Sequence, residues 1–264
     1  MRLDKVVGLV ALWASRRPTL ISVANKVRHQ CERIIGLSLS AGIDHERNGE
    51  GWLVERLAPT CSYFVDVGGN VGAWSLAMAG RMSNPRGMIF EPSPATAAVL
   101  RENLSQYPGL EVVEIAVSDA PGEASFFAEP DTGETSSLIV GHARSDANCV
   151  QVQVSTLDQE LGKRRIPHVD LLKIDAEGFD YHVLRGAIGY IARGAIDVIQ
   201  FEYNYPWADA GSTLGGAISL LQRHGYDVSV LLPDGLREFR YDKFREFFHY
   251  SNFVAVRRGF LFRG

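Results

Sequence analysis

Cysteine is scarce in this sequence, and long apolar runs are missing. Its 264 residues include three cysteines, Cys31, Cys61 and Cys149, and their spacing matches no metal-binding pattern. An odd number of widely spaced cysteines favours reduced thiols in a cytoplasmic protein over a disulfide framework. The most apolar stretch, VVGLVALWA, stops at Arg16 and Arg17, well short of the about 20 residues that a helix needs to cross a bilayer. We therefore expect a cytoplasmic protein without a transmembrane segment or a secretory signal.

Strong positive charge is missing as well. The formal net charge is −4, and basic residues form no stripe along the sequence. The sequence therefore predicts no nucleic-acid partner. It also lacks internal repeats and low-complexity tracts, and its 46% hydrophobic content is typical of a globular protein that buries a sizeable core.

A helical extension is predicted for residues 1–47. Its first helix has apolar residues at helical spacing on one face, namely Leu3, Val6, Val7, Val10 and Trp13. We expect the extension to cover the core or a partner in a homodimer. Because Trp13 stands close to Arg16 and Arg17, the helix also suits weak peripheral contact with a membrane surface.

Residues 48–264 are predicted to form one α/β domain. Short apolar runs such as SYFV, GMIF and DLLKI alternate with segments of helical periodicity. Strands that alternate with helices indicate a mostly parallel sheet covered by helices on both faces. The polar stretch 128–148 interrupts this pattern, and we expect it to form a lid over the substrate site.

The segment DVGGNVG follows the first predicted strand. Glycines such as Gly68 and Gly72 allow positive φ and the close approach of a ligand to the backbone. A dinucleotide fingerprint, G-x-G-x-x-G, would require glycine where Asn70 stands. Asp66 would also repel a diphosphate, so the turn favours a ligand that carries positive charge.

A second acid, Glu91, ends the second predicted strand and precedes Pro92. A carboxylate at this place can accept hydrogen bonds from both hydroxyls of an adenosine ribose. The alternative is a surface acid that merely precedes a helix. Taken with Asp66, Glu91 points to S-adenosylmethionine, whose amino group, sulfonium and ribose would each meet a carboxylate or a backbone group.

Six segments in order resemble the FkbM family of S-adenosylmethionine-dependent methyltransferases: FVDVGGNVGAWSLAMA, GMIFEPSP, EIAVSDAPGEASFF, STLDQEL, VDLLKIDAEGFDYHVLRGA and IQFEYN. They cover about residues 60–205, and Gly69 stands where the family commonly has alanine. The resemblance implies a Rossmann-like class I methyltransferase fold with a mostly parallel seven-stranded sheet. It also implies O-methylation of a sugar, glycolipid or natural product. The implied cofactor-binding residues are Asp66, Gly68, Asn70, Gly72, Glu91, Pro92, Ala116 and Asp175.

Candidate catalytic residues stand at the ends of the later strands, Asp175 and Glu177 in KIDAEG and Glu202 in FEYN. A hydroxyl nucleophile must lose a proton, which a carboxylate, a histidine or a metal ion can assist. In one hypothesis Asp175, Glu202 and Asn204 bind Mg²⁺, which lowers the pKa of the substrate oxygen. In the other no metal binds, and Glu202 or Glu177 either acts as the base or only orients the substrate. Glu177 is also explained as an acid favoured at a helix N-terminus.

Two neighbouring features leave alternatives open. Lys173 lies within an apolar strand and should need a buried partner, for which Asp66 and Glu202 are the candidates. The aromatic residues Tyr203, Tyr205 and Trp207 either bind a sugar ring or fill the packing of the loop.

Two other classes of function remain as alternatives to methyl transfer. A nicotinamide-dependent oxidoreductase could use a similar sheet, but the glycine pattern argues against it. The other alternative is a noncatalytic protein that only binds the cofactor or a partner, and the intact candidate acids argue against it.

Overall fold

The computed structural model describes residues 3–39, 48–129, 136–139, 147–242 and 246–262. The chain divides into two compact units, Met1–Leu39 and Ser40–Gly264. The predicted domain boundary after residue 47 stays a prediction. Much of the predicted lid, residues 130–135 and 140–146, lies outside the described residues.

The first unit consists of two helices, α1 (Leu3–Ala14) and α2 (Pro18–Leu39). Pro18 starts α2, where its fixed φ and its missing N–H are tolerated. No helix in the described ranges combines the length and the apolar composition that crossing a bilayer requires.

The second unit alternates strands and helices along the chain, as the sequence predicts. Its helices are α3 (Glu50–Leu57), α4 (Ala73–Ala79), α5 (Pro94–Asn103), α6 (Leu157–Lys163), α7 (Asp180–Gly186), α8 (Ile188–Ala192), α9 (Pro206–Asp209) and α10 (Leu214–Arg223). Its strands are β1 (Phe64–Val67), β2 (Gly87–Phe90), β3 (Leu110–Val113), β4 (Ala116–Val117), β5 (Gly122–Ala128), β6 (Asn148–Ser155), β7 (Val169–Ile174), β8 (Ile196–Tyr203), β9 (Tyr226–Leu232), β10 (Gly235–Glu238) and β11 (Ser251–Arg257).

Eight strands form the main sheet in the order β10-β9-β11-β8-β7-β1-β2-β3. Five adjacent strands of this sheet pair in parallel, namely β8, β7, β1, β2 and β3. Strand β11 is antiparallel to both β8 and β9. The strand order reverses beside β1, which is the switch point where such sheets bind ligands. The expected Rossmann-like class I arrangement is confirmed by this topology.

Both faces of the sheet are covered. Every residue of β1, β2 and β8 is buried, although successive side chains point to opposite faces. On one face the core joins α3, α4 and α5 to the strands through the buried side chains Leu53, Val54, Leu57, Phe64, Met78, Ile89, Leu100, Leu171 and Val198. Burial of this continuous apolar surface is the main stabilising contribution.

The sheet has one strand more than predicted. The short strand β10 pairs antiparallel with β9 after a turn at residues 233–234. Its sequence, GLRE, lacks the apolar alternation that marks a strand, because all four residues of this edge strand are at least partly exposed.

Two predicted elements are each divided in the structure. The predicted strand LEVVEIAVSD becomes β3 in the main sheet and β4 in a second sheet of order β4-β6-β5. The predicted helix FDYHVLRGAIGYI becomes α7 and α8, which meet at Ala187. In both cases the apolar pattern continues across the break, so the sequence gives no local sign of it.

Gly186 sets how closely α7 approaches the loop after β4, because a Cβ at this residue would overlap the carbonyl oxygen of Ser118. We expect Gly186→Ala to lower the free energy of unfolding by about 1–3 kcal/mol, as other overpacked substitutions do. Gly162→Ala in α6 is the matched control, because its Cβ would have no neighbour within 4 Å and alanine favours a helix by about 1 kcal/mol. Urea unfolding followed by circular dichroism measures both, and equal stability of the two variants would contradict the prediction.

Candidate active site

The glycine turn, residues 68–72, lies at the carboxyl ends of three parallel strands, β1, β2 and β7. Gly68 has φ of 84°, and a Cβ there would overlap the backbone carbonyl of Asp175 at the end of β7. The N–H groups of Gly68 and Gly69 both donate to the carbonyl oxygen of Phe90, at 3.0 and 2.9 Å. Glycine is therefore required at residue 68, because no side chain fits between β1 and β7.

Asp66 is fully buried beneath this turn. Its Oδ2 accepts a hydrogen bond of 2.7 Å from the Ser75 hydroxyl, whereas its Oδ1 has no hydrogen-bond partner. The ammonium of Lys173 lies 3.9 Å from Oδ1. Burial raises the pKa of Asp66, and Lys173 and Ser75 oppose that rise in pKa. A buried carboxylate oxygen is thus left for a further donor.

Lys173 pairs most closely with a residue that was not among its predicted partners. Its Nζ lies 2.9 Å from Oδ2 of Asp175, while the predicted partner Asp66 is the more distant contact. Burial on its own would lower the pKa of Lys173, but Asp175, Asp66 and Glu50 together hold it well above its ordinary value. The lysine is therefore charged and fixed between two neighbouring strands, which is a structural role.

Glu91 connects the glycine turn to the next helix. One carboxylate oxygen accepts the Asn70 N–H at 3.0 Å, and the other accepts the Ser93 N–H at 2.9 Å. Burial raises the pKa of Glu91 to about 7, and these two hydrogen bonds oppose the rise. Each oxygen keeps a second lone pair, so the predicted contact with ribose hydroxyls has room but stays a prediction.

A cluster of acids lies where β7 and β8 end. Carboxylate oxygens of Asp175, Glu177 and Glu202 all lie within 4.8 Å of one another. Asp180 accepts the Glu202 N–H through Oδ1, and its Oδ2 has no hydrogen-bond partner. Burial, followed by the charge of Asp175, raises the pKa of both Asp180 and Glu202 well above the ordinary values. The structure thus brings the three predicted catalytic acids together.

Asn204 contacts this cluster through Glu202. Its Nδ2 donates to Oε1 of Glu202 at 2.5 Å, and its buried Oδ1 has no partner. The carboxylates that meet within 4.8 Å include Glu177, which was not in the predicted metal set of Asp175, Glu202 and Asn204. The role of that set as metal ligands stays a prediction.

Sequence reasoning missed a polar group that faces the acids from distant parts of the chain. Asn252 of β11 pairs with Glu202 of β8 in the sheet register. The Tyr250 hydroxyl accepts hydrogen bonds from the side-chain amides of Asn48 at 3.1 Å and Asn252 at 3.2 Å. Because Oδ1 of Asn48 already accepts the Glu50 N–H, its Nδ2 is the atom that faces Tyr250. No sequence motif marks these residues, since only the pairing of β11 with β8 places them.

The remaining predicted residues occupy different surroundings. Pro92 is half-buried and follows Glu91 after the end of β2. Ala116 is buried in the core of the second sheet. The predicted cofactor contacts of both residues stay predictions. Tyr203 and Trp207 are completely buried and pack edge to face with ring centroids 5.2 Å apart. The packing alternative is therefore confirmed for these two residues, whereas Tyr205 is 64% exposed.

The family signature of the methyltransferase FkbM domain matches residues 66–228, a range that contains the glycine turn, Glu91 and the acid cluster. The chain belongs to this family of methyltransferases. The resemblance read from the six sequence segments is confirmed, and membership sets aside the nicotinamide oxidoreductase. It supports S-adenosylmethionine as the methyl donor and lends no support to Mg²⁺.

Three curated relatives show how far the similarity extends. Methyltransferase 1 of Beauveria bassiana is 29% identical over 195 residues, which is 67% of this chain and 76% of the relative. The 2-O-methyltransferase NoeI of Sinorhizobium fredii is 23% identical over 63% of this chain and 72% of its own length. The hexuronic acid methyltransferase AglP of Haloferax volcanii is 25% identical over 46% of this chain, and the match spans 48% of that protein.

The raised pKa of Glu91 makes a prediction about pH. The folded state holds the proton of Glu91 more tightly than the unfolded chain does, because burial raises the pKa from 4.5 to about 7. The resulting stabilisation is complete below the lower of these pKa values and is lost as the pH rises through the higher one. Glu91→Gln stays uncharged, so its free energy of unfolding should rise relative to the native protein by up to about 3 kcal/mol between about pH 5 and pH 8.

Urea unfolding of both proteins across this pH range measures the difference. Glutamine cannot accept one of the two hydrogen bonds, and that loss lowers the free energy of unfolding by an amount that does not vary with pH. The test is therefore how the difference in free energy of unfolding between the two proteins changes with pH. Glu55→Gln, at an exposed position of α3, controls for the loss of one negative charge. A difference between native and Glu91→Gln that stays constant across the range would contradict the burial argument.

Proposed function

We propose that this chain transfers a methyl group from S-adenosylmethionine to a hydroxyl of a sugar, glycolipid or natural-product acceptor. The observation that carries the proposal is the direct contact between the glycine turn and the acid cluster. Gly68 packs on the backbone of Asp175, so a donor on the turn and an acceptor beside the acids would be neighbours. Methyl transfer requires such proximity, because the acceptor oxygen must approach the methyl carbon in line with the departing sulfur.

The donor fits the polar atoms left around the turn. Asp66 has a buried oxygen without a donor, which suits a ligand that carries an ammonium and a sulfonium group. Glu91 has one lone pair left on each oxygen for the two ribose hydroxyls. The left-handed backbone at Gly68 and Gly72 keeps side chains away from the surface on which the ligand would lie.

The acid cluster supplies groups that can take the proton of the acceptor hydroxyl. Burial raises the pKa of Glu202, and a carboxylate with a raised pKa is a stronger base than an ordinary one. Asp175 and Glu177 are the partly exposed members of the cluster, and the side chain of Asp175, which is 25% accessible, is open to an incoming acceptor. Asp175 would orient the acceptor, while Glu202 or Glu177 accepts the proton.

The names of two relatives support an oxygen acceptor on a carbohydrate. NoeI is a 2-O-methyltransferase and AglP is a hexuronic acid methyltransferase. Both descriptions concern those proteins, and the second match spans less than half of the relative. For this chain they make sugars and glycolipids the first acceptors to test.

A divalent cation also fits the oxygen atoms of the cluster. Asp175, Glu177 and Glu202 offer carboxylate oxygens within 4.8 Å of one another, and the buried Oδ1 of Asn204 lacks a partner. Oxygen donors of this kind suit Mg²⁺. When bound, the ion would lower the pKa of the acceptor hydroxyl. In that arrangement Asp175, Glu202 and Asn204 would hold it.

Donor binding and turnover can be tested separately. We expect Asp66→Asn and Glu91→Gln each to weaken S-adenosylmethionine binding by about tenfold, which corresponds to about 1.4 kcal/mol. Glu177→Gln should leave donor affinity within about threefold of the native value while it slows transfer, because Glu177 lies on the acceptor side. Calorimetry measures affinity, with Glu55→Gln as the control. Labelled donor incubated with sugars, glycolipids and cell extracts, followed by mass analysis, measures transfer.

Two outcomes would contradict the proposal in different ways. Unchanged donor affinity in both Asp66→Asn and Glu91→Gln would show that the cofactor pocket is assigned wrongly. Donor binding without a methylated product from any acceptor in the panel would favour a noncatalytic cofactor-binding protein.

Metal dependence has its own test. If Mg²⁺ assists the reaction, exhaustive chelation should reduce transfer by about tenfold or more, and added Mg²⁺ should restore it. Asn204→Ala should then raise the Mg²⁺ concentration needed for half-maximal rate. Full activity after chelation would remove the metal and leave proton transfer to the carboxylates.

A further inference from the structure

Exposed apolar side chains are concentrated in the first unit. Nine of the thirteen large apolar side chains that stand exposed in the described residues belong to α1 and α2, although the unit has only 39 of the 264 residues. They are Val7, Val10, Leu12, Trp13, Ile21, Val23, Val27, Ile34 and Ile35. A soluble surface rarely holds so many large apolar side chains together unless another surface covers them.

Most of the exposed apolar side chains follow the helical repeat. With about 100° per residue, Val7, Val10 and Trp13 lie on one side of α1, and each is more than half exposed. In α2, Val23 and Val27 share a side in the same way. The first unit therefore consists of two amphipathic helices whose apolar faces are largely exposed.

Charge is divided unequally between the two units. Residues 1–39 contain seven Lys and Arg against two Asp and Glu, which gives a net charge of +5. Because the whole chain carries −4, residues 40–264 carry −9. A basic unit with exposed apolar faces is complementary to an anionic surface that has an apolar interior, whereas the acidic unit would be repelled from it.

The end of α1 combines both properties in two side chains. The guanidinium of Arg17 lies 3.5 Å from the ring centroid of Trp13 and donates to the Trp13 carbonyl at 3.0 Å. Tryptophan beside arginine is typical of the headgroup region, where the ring lies at the apolar boundary and the cation meets phosphate. Because no described helix can cross a bilayer, the fitting arrangement lies along the surface.

We propose that residues 3–39 bind the surface of a bilayer that contains anionic phospholipids, with the apolar faces of α1 and α2 in the headgroup boundary. This inference does not depend on the chemistry of the second unit. A second copy of the chain is the competing occupant of the apolar faces, but two units of +5 repel each other unless their contact offsets that repulsion.

Vesicle sedimentation with the full chain tests the proposal. The chain should bind phosphatidylcholine vesicles that contain about 30% phosphatidylglycerol, and about 0.5 M salt should weaken that binding. Val10→Asp should reduce the partition coefficient by about fiftyfold or more, because it both adds a negative charge and places that charge on the inserted face. Leu12→Asp is the matched control, since Leu12 is 55% exposed, close to the 59% of Val10, but lies on the opposite side of α1. It adds the same charge without disturbing insertion, so only the electrostatic loss of about fivefold is expected.

A charge variant separates the two contributions. Arg16→Gln should reduce binding to the anionic vesicles by about fivefold, because each basic residue near such a surface contributes about 1 kcal/mol. The same variant should not change the weak binding to pure phosphatidylcholine. Circular dichroism of each variant checks that the helices and the sheet still form.

Three results would overturn the proposal. The first is no binding to the anionic vesicles, and the second is equal binding to vesicles with and without phosphatidylglycerol. The third is an equal effect of Val10→Asp and Leu12→Asp, which would show that the predicted face has no special role. If the chain does not bind vesicles but forms dimers, and Val10→Asp dissociates those dimers, a second copy of the chain is the occupant instead.

Discussion

The buried ammonium of Lys173 is the charge on which the polar face of the sheet depends. It lies between Asp66 on β1 and Asp175, directly after β7, so one cation serves the ends of two neighbouring strands. Further carboxylates, including Asp180 and Glu202, are buried near the same edge, and their pKa values are raised. The charge of Lys173 therefore limits how many of these acids can ionise together.

The turn beside Lys173 is held in place by contacts within the chain. Gly68 packs on the backbone of Asp175, and Glu91 accepts one N–H from the turn and one from the start of α5. A pocket whose polar groups are fixed beforehand loses less conformational entropy when it binds. The same hydrogen bonds use part of the capacity of Glu91, which leaves one lone pair on each oxygen and so limits which ligand groups it can accept.

Local chemistry was predictable from the sequence, and long-range pairing was not. The glycine turn and the acids at strand ends follow from short patterns, because the carboxyl ends of parallel strands meet at one edge. Ser93 followed by Pro94 is a local signal for the start of a helix, and the Ser93 side chain does accept the Thr96 N–H at the start of α5. Tyr250 and Asn48 are about two hundred residues apart, so only the position of β11 in the sheet brings them together. Trp207 follows β8 like a cleft residue, and only tertiary packing shows that it belongs to the core.

The position of β11 has a consequence for how the molecule forms. This strand lies between β8 and β9, outside residues 66–228 that match the family. Until residue 257 has been synthesised, β8 and β9 would each present an unpaired edge, and such edges can pair with other chains. Because a strand from the last part of the chain enters the interior of the sheet, the native sheet can form only after nearly all of the chain has been synthesised. Its formation also requires many contacts between residues that are distant in sequence. Folds of that kind are slow to form and exposed to aggregation during synthesis.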